Sequence, residues 1–218
     1  MKKLLLIVSV ALFMTMSACI VSASMLDFED ADGTIWNGNL YGEPIFGPGE
    51  PENYYHGFYF EGWRVFDKDG VEAVYGTSSY LYQGTDGDRS IGRTSFDQKF
   101  ISNANDFYFE GASLCAQDYN DNDRPVIIEL VGFNDGSQVW YETVQFDYTG
   151  GPEVKNFVSS YADVLVDSVR FNAWEVDNYA ASFVLDNFQY RSVPVPGAVL
   201  LLSSGLIALI SFRKRFIR

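Results

Sequence analysis

The chain has 218 residues, with 29 acidic against 15 basic side chains, one histidine and a formal net charge of −14. Six of the bases sit at the extreme ends, so residues 24–192 hold all 29 acids and only nine bases, a charge of −20. Such a surface repels phosphate and argues against nucleic-acid binding. A single imidazole argues equally against Ser-His-Asp chemistry and His-rich zinc centres.

Lys2-Lys3 precede an uncharged run from Leu4 to Val21, and Val21-Ser22-Ala23 places small residues where a signal peptidase reads. This is the pattern of a secretory signal peptide, residues 1–23, cut after Ala23. Met16-Ser17-Ala18-Cys19 offers a second reading, since it loosely resembles the lipoprotein box in which the cysteine is lipidated. In the first reading Cys115 is the only thiol of the mature chain, and no intramolecular disulfide can form.

Residues 24–192 are long enough for one domain with its own core. They show short alternating apolar runs separated by Gly, Asn, Asp and Pro, without a helical period. The expectation is an all-β fold, a single jelly-roll-like β-sandwich. Strands are predicted at Leu26–Glu29, Gly57–Phe66, Val71–Tyr75, Ile91–Phe100, Phe107–Ala116, Val126–Phe133, Gln138–Tyr148, Val154–Ser159 and Ser182–Tyr190. Another is predicted where Val169, Phe171 and Ala173 alternate with Ser168, Arg170 and Asn172. Asp135-Gly136 supplies the positive φ angles of a tight hairpin. Asp67-Lys68-Asp69-Gly70 and Asp86-Gly87-Asp88 read as acidic turns. Residues 30–56 form a long loop set with aromatics, either a binding element or a lid.

Cys115 follows Phe107-Tyr108-Phe109-Glu110-Gly111-Ala112-Ser113-Leu114, in which the odd positions look core-facing, so a buried, inert thiol is expected. His56 lies beside Tyr54 and Tyr55 and is expected to pack or hydrogen-bond there. Asp118, Asn120, Asn122 and Glu129 match four positions of an EF-hand loop, yet Asp123 replaces the required glycine and Pro125 leads a strand-like run. Sugar rings stack on exposed aromatic faces, which makes Trp36, Trp63 and Trp174 the candidate ligand aromatics beside the alternative that each is buried.

The chain closes on Val193-Pro194-Val195-Pro196-Gly197, a mostly apolar run from Ala198 to Phe212, and the basic cluster Arg213, Lys214, Arg215 and Arg218. The run is short for a membrane span, and its cations can snorkel to the headgroups. Both basic ends would stay cytoplasmic with everything between them exported. These elements in this order resemble the PEP-CTERM sorting signal of Gram-negative bacteria, with Val195 where that family usually has Glu. The resemblance covers residues 193–218 and implies recognition in the inner membrane by an exosortase-type protease, followed by release to the envelope or extracellular matrix. If nothing cuts the tail, it is a permanent transmembrane anchor.

The body also resembles passenger domains that precede such tails, through Leu26-Asp27-Phe28-Glu29, Phe107-Tyr108-Phe109-Glu110-Gly111-Ala112 and Phe183-Val184-Leu185-Asp186-Asn187-Phe188. In jelly-roll carbohydrate-binding modules, acids on the first and last strands hold a structural Ca²⁺. That likeness makes Asp27, Glu29 and Asp186 the candidate metal ligands here. Asp186 is expected to share a face with Val184, Phe188 and Tyr190, where an acid needs a partner. The function expected is a non-catalytic, exported structural or polysaccharide-binding protein whose partner is exopolysaccharide. A carboxylate-based enzyme acting on polysaccharide and a self-associating adhesin are the alternatives.

Overall fold

A computed structural model describes residues 23–31, 43–44, 53–76, 86–93, 98–117, 125–147, 153–175 and 181–193. Ala23–Arg191 forms one compact unit. Most of the described residues lie in antiparallel strands. In chain order they are β1 (Ala23–Leu26), β2 (Glu43–Pro44), β3 (Tyr54–Tyr55), β4 (Phe58–Glu61), β5 (Arg64–Asp67), β6 (Arg89–Arg93), β7 (Lys99–Gln117), β8 (Val126–Asn134), β9 (Ser137–Phe146), β10 (Glu153–Val158), β11 (Leu165–Glu175) and β12 (Ser182–Ser192). The expected all-β class is what the chain adopts.

The strands are hydrogen-bonded in the order β2-β5-β6-β12-β7-β11-β8-β9, with β1 on β12, β10 and β4 on β7, and β3 on β4. The 19-residue β7 is the common member. Its first half pairs with β4 and β11, and its second half with β10. Rings from strands that are not hydrogen-bonded to each other meet in one core. Phe58 of β4 packs on Phe188 of β12 at 5.6 Å, Phe109 of β7 on Trp140 of β9 at 5.9 Å, and Phe171 of β11 on Phe183 of β12 at 6.3 Å. The sheet thus folds over its own buried face, and Trp63 seals the centre edge-on to Phe171 and Phe183.

Several expectations about local structure are corrected. The first strand runs Ala23–Leu26 in place of Leu26–Glu29 and ends before Phe28, whose φ is +60°. Lys68–Tyr75 is a short helix, α1, where an acidic turn and then a strand were expected. Val71 is buried, and Val71 and Tyr75 stand four apart, one helical turn, so their spacing serves a helix as well as a strand. The predicted Ile91–Phe100 strand is two, β6 and the start of β7. Gly57–Phe66 is likewise divided, with Gly62 at φ +68° turning the chain between β4 and β5.

The β8–β9 hairpin is as predicted. Asp135 and Gly136 both take positive φ, +49° and +72°, the pattern of a turn whose twist matches its flanking strands. Just before it the register shifts between Gly132 and Phe133. A side chain at Gly132 would overlap the Trp140 indole, which is pressed between Phe109 and Tyr161. Gly132→Ala is expected to lower stability by about 1–3 kcal/mol, as overpacked cores do, read as a drop in urea midpoint at unchanged slope. An unchanged midpoint would show that the indole relocates freely.

Candidate functional site

β9, β8, β11, the first half of β7, β4 and β3 lie side by side, and their alternation sorts side chains to two faces. Val169, Phe171 and Ala173 of β11 go inward with Ile128 and Leu130 of β8 and with Trp140 and Val144 of β9. Directly opposed residues share a face, so the register assembles the outer one. One row runs Tyr141, Val131, Arg170, Phe100, Glu61. The next runs Gln138, Phe133, Ser168, Ser102, Tyr59, Tyr54. Towards the other end, Thr143, Glu129 and Asn172 form a third row, and Gln145, Ile127 and Trp174 a fourth.

With strands about 4.8 Å apart, these six make a platform about 24 Å across. Tyr141 and Tyr54 are 46% and 42% exposed, while Trp174, Phe133, Phe100 and Tyr59 are half-buried. Uncharged hydrogen-bonding groups stand between the rings. Arg170 lies near the middle, with Nη2 donating to Glu129 Oε1 at 2.9 Å, Nη1 to Gln98 Oε1 at 3.4 Å, and its guanidinium 5.6 Å from the Phe133 ring. A sheet face of exposed ring edges and neutral polar groups can stack sugar rings while hydrogen-bonding their hydroxyls.

The three candidate tryptophans have separate fates. Trp63 is fully buried, and its Nε1 donates to the Phe100 carbonyl at 3.0 Å. It is a core residue and cannot meet a ligand, a correction that follows from the turn at Gly62. Trp174 lies on the platform, whereas Trp36 falls outside the described residues. The ring residues not singled out by sequence, Tyr141, Phe133 and Tyr59, carry a signal all the same. Each occupies the outward parity of a strand whose inward parity is mainly apolar, Glu142 of β9 being an exception.

A second cluster gathers where β1 leads towards β12. Asp186 is fully buried, and its two oxygens accept from the main-chain N–H of Asp86 and of Asn187, each at 2.7 Å. Its expected face is wrong. Asn187 has φ +50° and resets the alternation, so Phe188 and Tyr190 join Phe183 and Leu185 in the core while Asp186 falls outside that cluster. Glu29 uses both oxygens on the N–H of Asp88, at 3.0 Å each. Asp27 Oδ1 accepts from the N–H of Glu29 at 3.4 Å. The three candidate metal ligands therefore hold main-chain amides, Asp186 and Glu29 those of the 86–88 turn. Among the described residues no group of three or more His, Cys, Asp or Glu is placed to hold a metal. The acids do converge, and Glu29, Asp67, Asp69, Asp88 and Arg89 line a cleft of about 170 Å³ beside them.

Burial raises the Asp186 carboxyl to about 7, against the lowering effect of its two amide donors and reinforced by the charges of Glu29 and Asp86. The unfolded chain, with an ordinary aspartate, loses this proton first. Stability from this group is therefore present below about pH 4, declines as pH rises towards 7, and is flat above. Melting temperature at constant ionic strength should fall across that window, and Asp186→Asn should remove this component. A flat wild-type profile would refute the assignment. Added Ca²⁺ tests the metal expectation on the same instrument, since a rise in melting temperature would mean that these acids also take a cation.

The remaining reactive groups are tied down. Tyr55, buried, donates to Asp30 Oδ1 at 2.5 Å, and the single histidine, His56, contacts the same oxygen at 3.3 Å and stacks edge-on to Tyr55 at 4.4 Å, as its position beside Tyr54 and Tyr55 suggested. Desolvation drives the Tyr55 hydroxyl well above its ordinary range, and the Tyr55 bond lowers Asp30. Cys115 is fully buried and its thiol is pushed up to about 12, mainly by desolvation. That is the inert thiol expected, although the core takes Ala112, Leu114 and Ala116 and not the odd positions beyond Phe109. Glu129, the last EF-hand position, is spent on Arg170, and Asp118, Asn120 and Asn122 lie outside the described residues.

At the chain ends, Ala23 opens β1 opposite Arg191, and Val193 is the last described residue of the tail. Pro194, Val195, Pro196 and Gly197, the apolar run, and Arg213, Lys214, Arg215 and Arg218 all fall outside the described residues, as do residues 1–22. Among the described residues no helix is long and apolar enough to cross a membrane.

No family model matches the chain, and no curated protein matches it. Among solved structures it is similar to a tyrosine-to-alanine mutant of a family 29 carbohydrate-binding module. The identity is 8%, over 78% of this chain and 92% of that one, with a TM-score of 0.35. It is also similar to a family 61 carbohydrate-binding module in complex with β-1,4-galactotriose, at 12% identity over 65% of this chain and 92% of that one, again with a TM-score of 0.35. Likenesses this distant assign neither a ligand nor a site.

Proposed function

We propose that the protein is an exported, non-catalytic polysaccharide-binding β-sandwich of jelly-roll type, delivered through its C-terminal tail to the envelope or extracellular matrix. The outer face built on β11, β8 and β9 carries this reading. It sets Trp174, Tyr141 and Phe133 among Thr143, Gln145, Asn172 and Gln138 on a sheet whose other side is sealed core. Exposed rings on a two-sided strand weaken solubility, so their presence on a highly acidic domain favours a binding role over a purely structural one. The non-catalytic part is supported by the sealed Cys115 thiol and by the pairing of His56 with a carboxylate and a buried tyrosine.

The purified full-length protein should be retained by one or more bacterial exopolysaccharides without releasing new reducing ends. Tyr141→Ala and Trp174→Ala should each weaken retention about 5- to 30-fold, the loss of a ring anchor worth about 1–2 kcal/mol. For the exposed Tyr141 the stability change should stay within about 0.5 kcal/mol. New reducing ends would establish an enzyme, and concentration-dependent oligomers with no retention would establish an adhesin.

Sorting rests on the Val193-Pro194-Val195-Pro196-Gly197 motif, the apolar run and the basic end, in that order. In a host with an exosortase-type protease, the mature protein should lack the Ala198 to Arg218 peptide by mass. An intact tail would make the segment a permanent inner-membrane anchor.

A further inference from the structure

The one cation on the rows of the outer face finds its counter-charge within that face, while its Nε is buried with no hydrogen-bond partner. Arg170 is the one cation on the rows described above, and it is held by Glu129 at 2.9 Å, with side chains only 22% and 16% exposed. Gln98 takes a second donor and the Phe133 ring lies beside the guanidinium. A carboxylate or sulfate arriving on the face would have to displace Glu129 and leave it half-buried without a counter-charge, which is the costly way to break such a pair. Glu61, at the β4 end of the same row, adds a further negative charge, and residues 24–192 carry −20 in all. That field also repels a polyanion before contact, over a Debye length of about 8 Å at physiological salt. What remains for a ligand is stacking area and neutral polar groups, Thr143 and Gln138 among them, while the Gln145 amide donates to Asp147 Oδ1 at 2.7 Å.

We infer that the platform takes neutral polysaccharide and rejects anionic polysaccharide such as uronate or sulfated chains, with Glu129 acting as the selectivity residue by cancelling Arg170. This rests on the reading of the face as a glycan platform and goes on to name the ligand class. Glu129 acts through Arg170 and is a positioning residue as well as a neutralising one.

The test uses the full-length protein in native gels containing matched pairs of polymers. These are hydroxyethylcellulose with carboxymethylcellulose, and carboxyl-reduced with native polygalacturonate and alginate. At least one neutral member should retard the protein, with its anionic counterpart weaker on the order of tenfold at low salt and the gap narrowing as salt screens the field. Glu129→Gln, which keeps an acceptor for Arg170 but frees its charge, should shift the ratio towards the anionic member. Equal or stronger retardation by the anionic members at low salt overturns the selectivity and leaves the platform standing. A ratio unmoved by Glu129→Gln, with the variant melting as the wild type does, overturns the role of that residue. Retardation by none of the polymers, with the wild-type protein folded, overturns the platform itself and the selectivity with it.

Discussion

Everything else in the domain hangs on β7, a single strand of 19 residues that must satisfy its main-chain donors and acceptors along its whole length. No one neighbour is long enough. β4 and β11 flank its first half and β10 its second, with β12 a further hydrogen-bonded neighbour. The segment Gly111-Ala112-Ser113-Leu114-Cys115-Ala116 is buried throughout, which its mostly small side chains permit, since bulky ones on both faces would hold neighbouring layers apart. Hydrogen bonding thus joins strands into one path, and ring packing of Phe58 on Phe188, Phe109 on Trp140 and Phe171 on Phe183, each between strands that do not pair, closes it over a core.

Closing the sheet in this way turns the second side of β9, β8, β11 and β4 away from the core, with Tyr141 exposed and Val131 buried on it, and the chemistry of that face follows from strand parity. Once Val169 and Phe171 turn inward, Arg170, Asn172 and Trp174 must turn outward, and the register with β8 and β9 then selects their companions. The pairing of Arg170 with Glu129 offsets the charge of the one cation on the rows of this face, leaving Glu61 as its remaining charge. A platform of rings and neutral polar groups on a domain of −20 has a character that neither its composition nor any single motif announces.

The acids illustrate a different balance. A carboxylate taken out of water needs donors, and Asp186 obtains two main-chain amides while Glu29 holds the neighbouring turn. These bonds tether the 86–88 turn to both ends of the domain. Desolvation still outweighs them at Asp186, which raises this carboxyl to about 7 and makes it one group through which pH below neutrality acts on stability.

Sequence by itself determined the strand class, the Asp135-Gly136 hairpin, the β11 alternation and the inertness of Cys115, because each rests on contacts within a few residues or on a period of two. It also marked Asp86-Gly87-Asp88 as a turn and placed His56 beside Tyr55. Only the tertiary structure decided where parity breaks. One extra residue between Phe109 and Ala112, the positive φ of Asn187 and the turn at Gly62 each flip every later side chain to the other face, which sent Asp186 away from Phe188 and Trp63 into the core. The helix Lys68–Tyr75 was hidden for a related reason, since an eight-residue segment with few apolar positions fits either period. The outer face needed tertiary structure most of all. Tyr141, Arg170 and Phe100 are far apart in the chain and meet only through the register of four strands, a long-range quantity that no local pattern encodes.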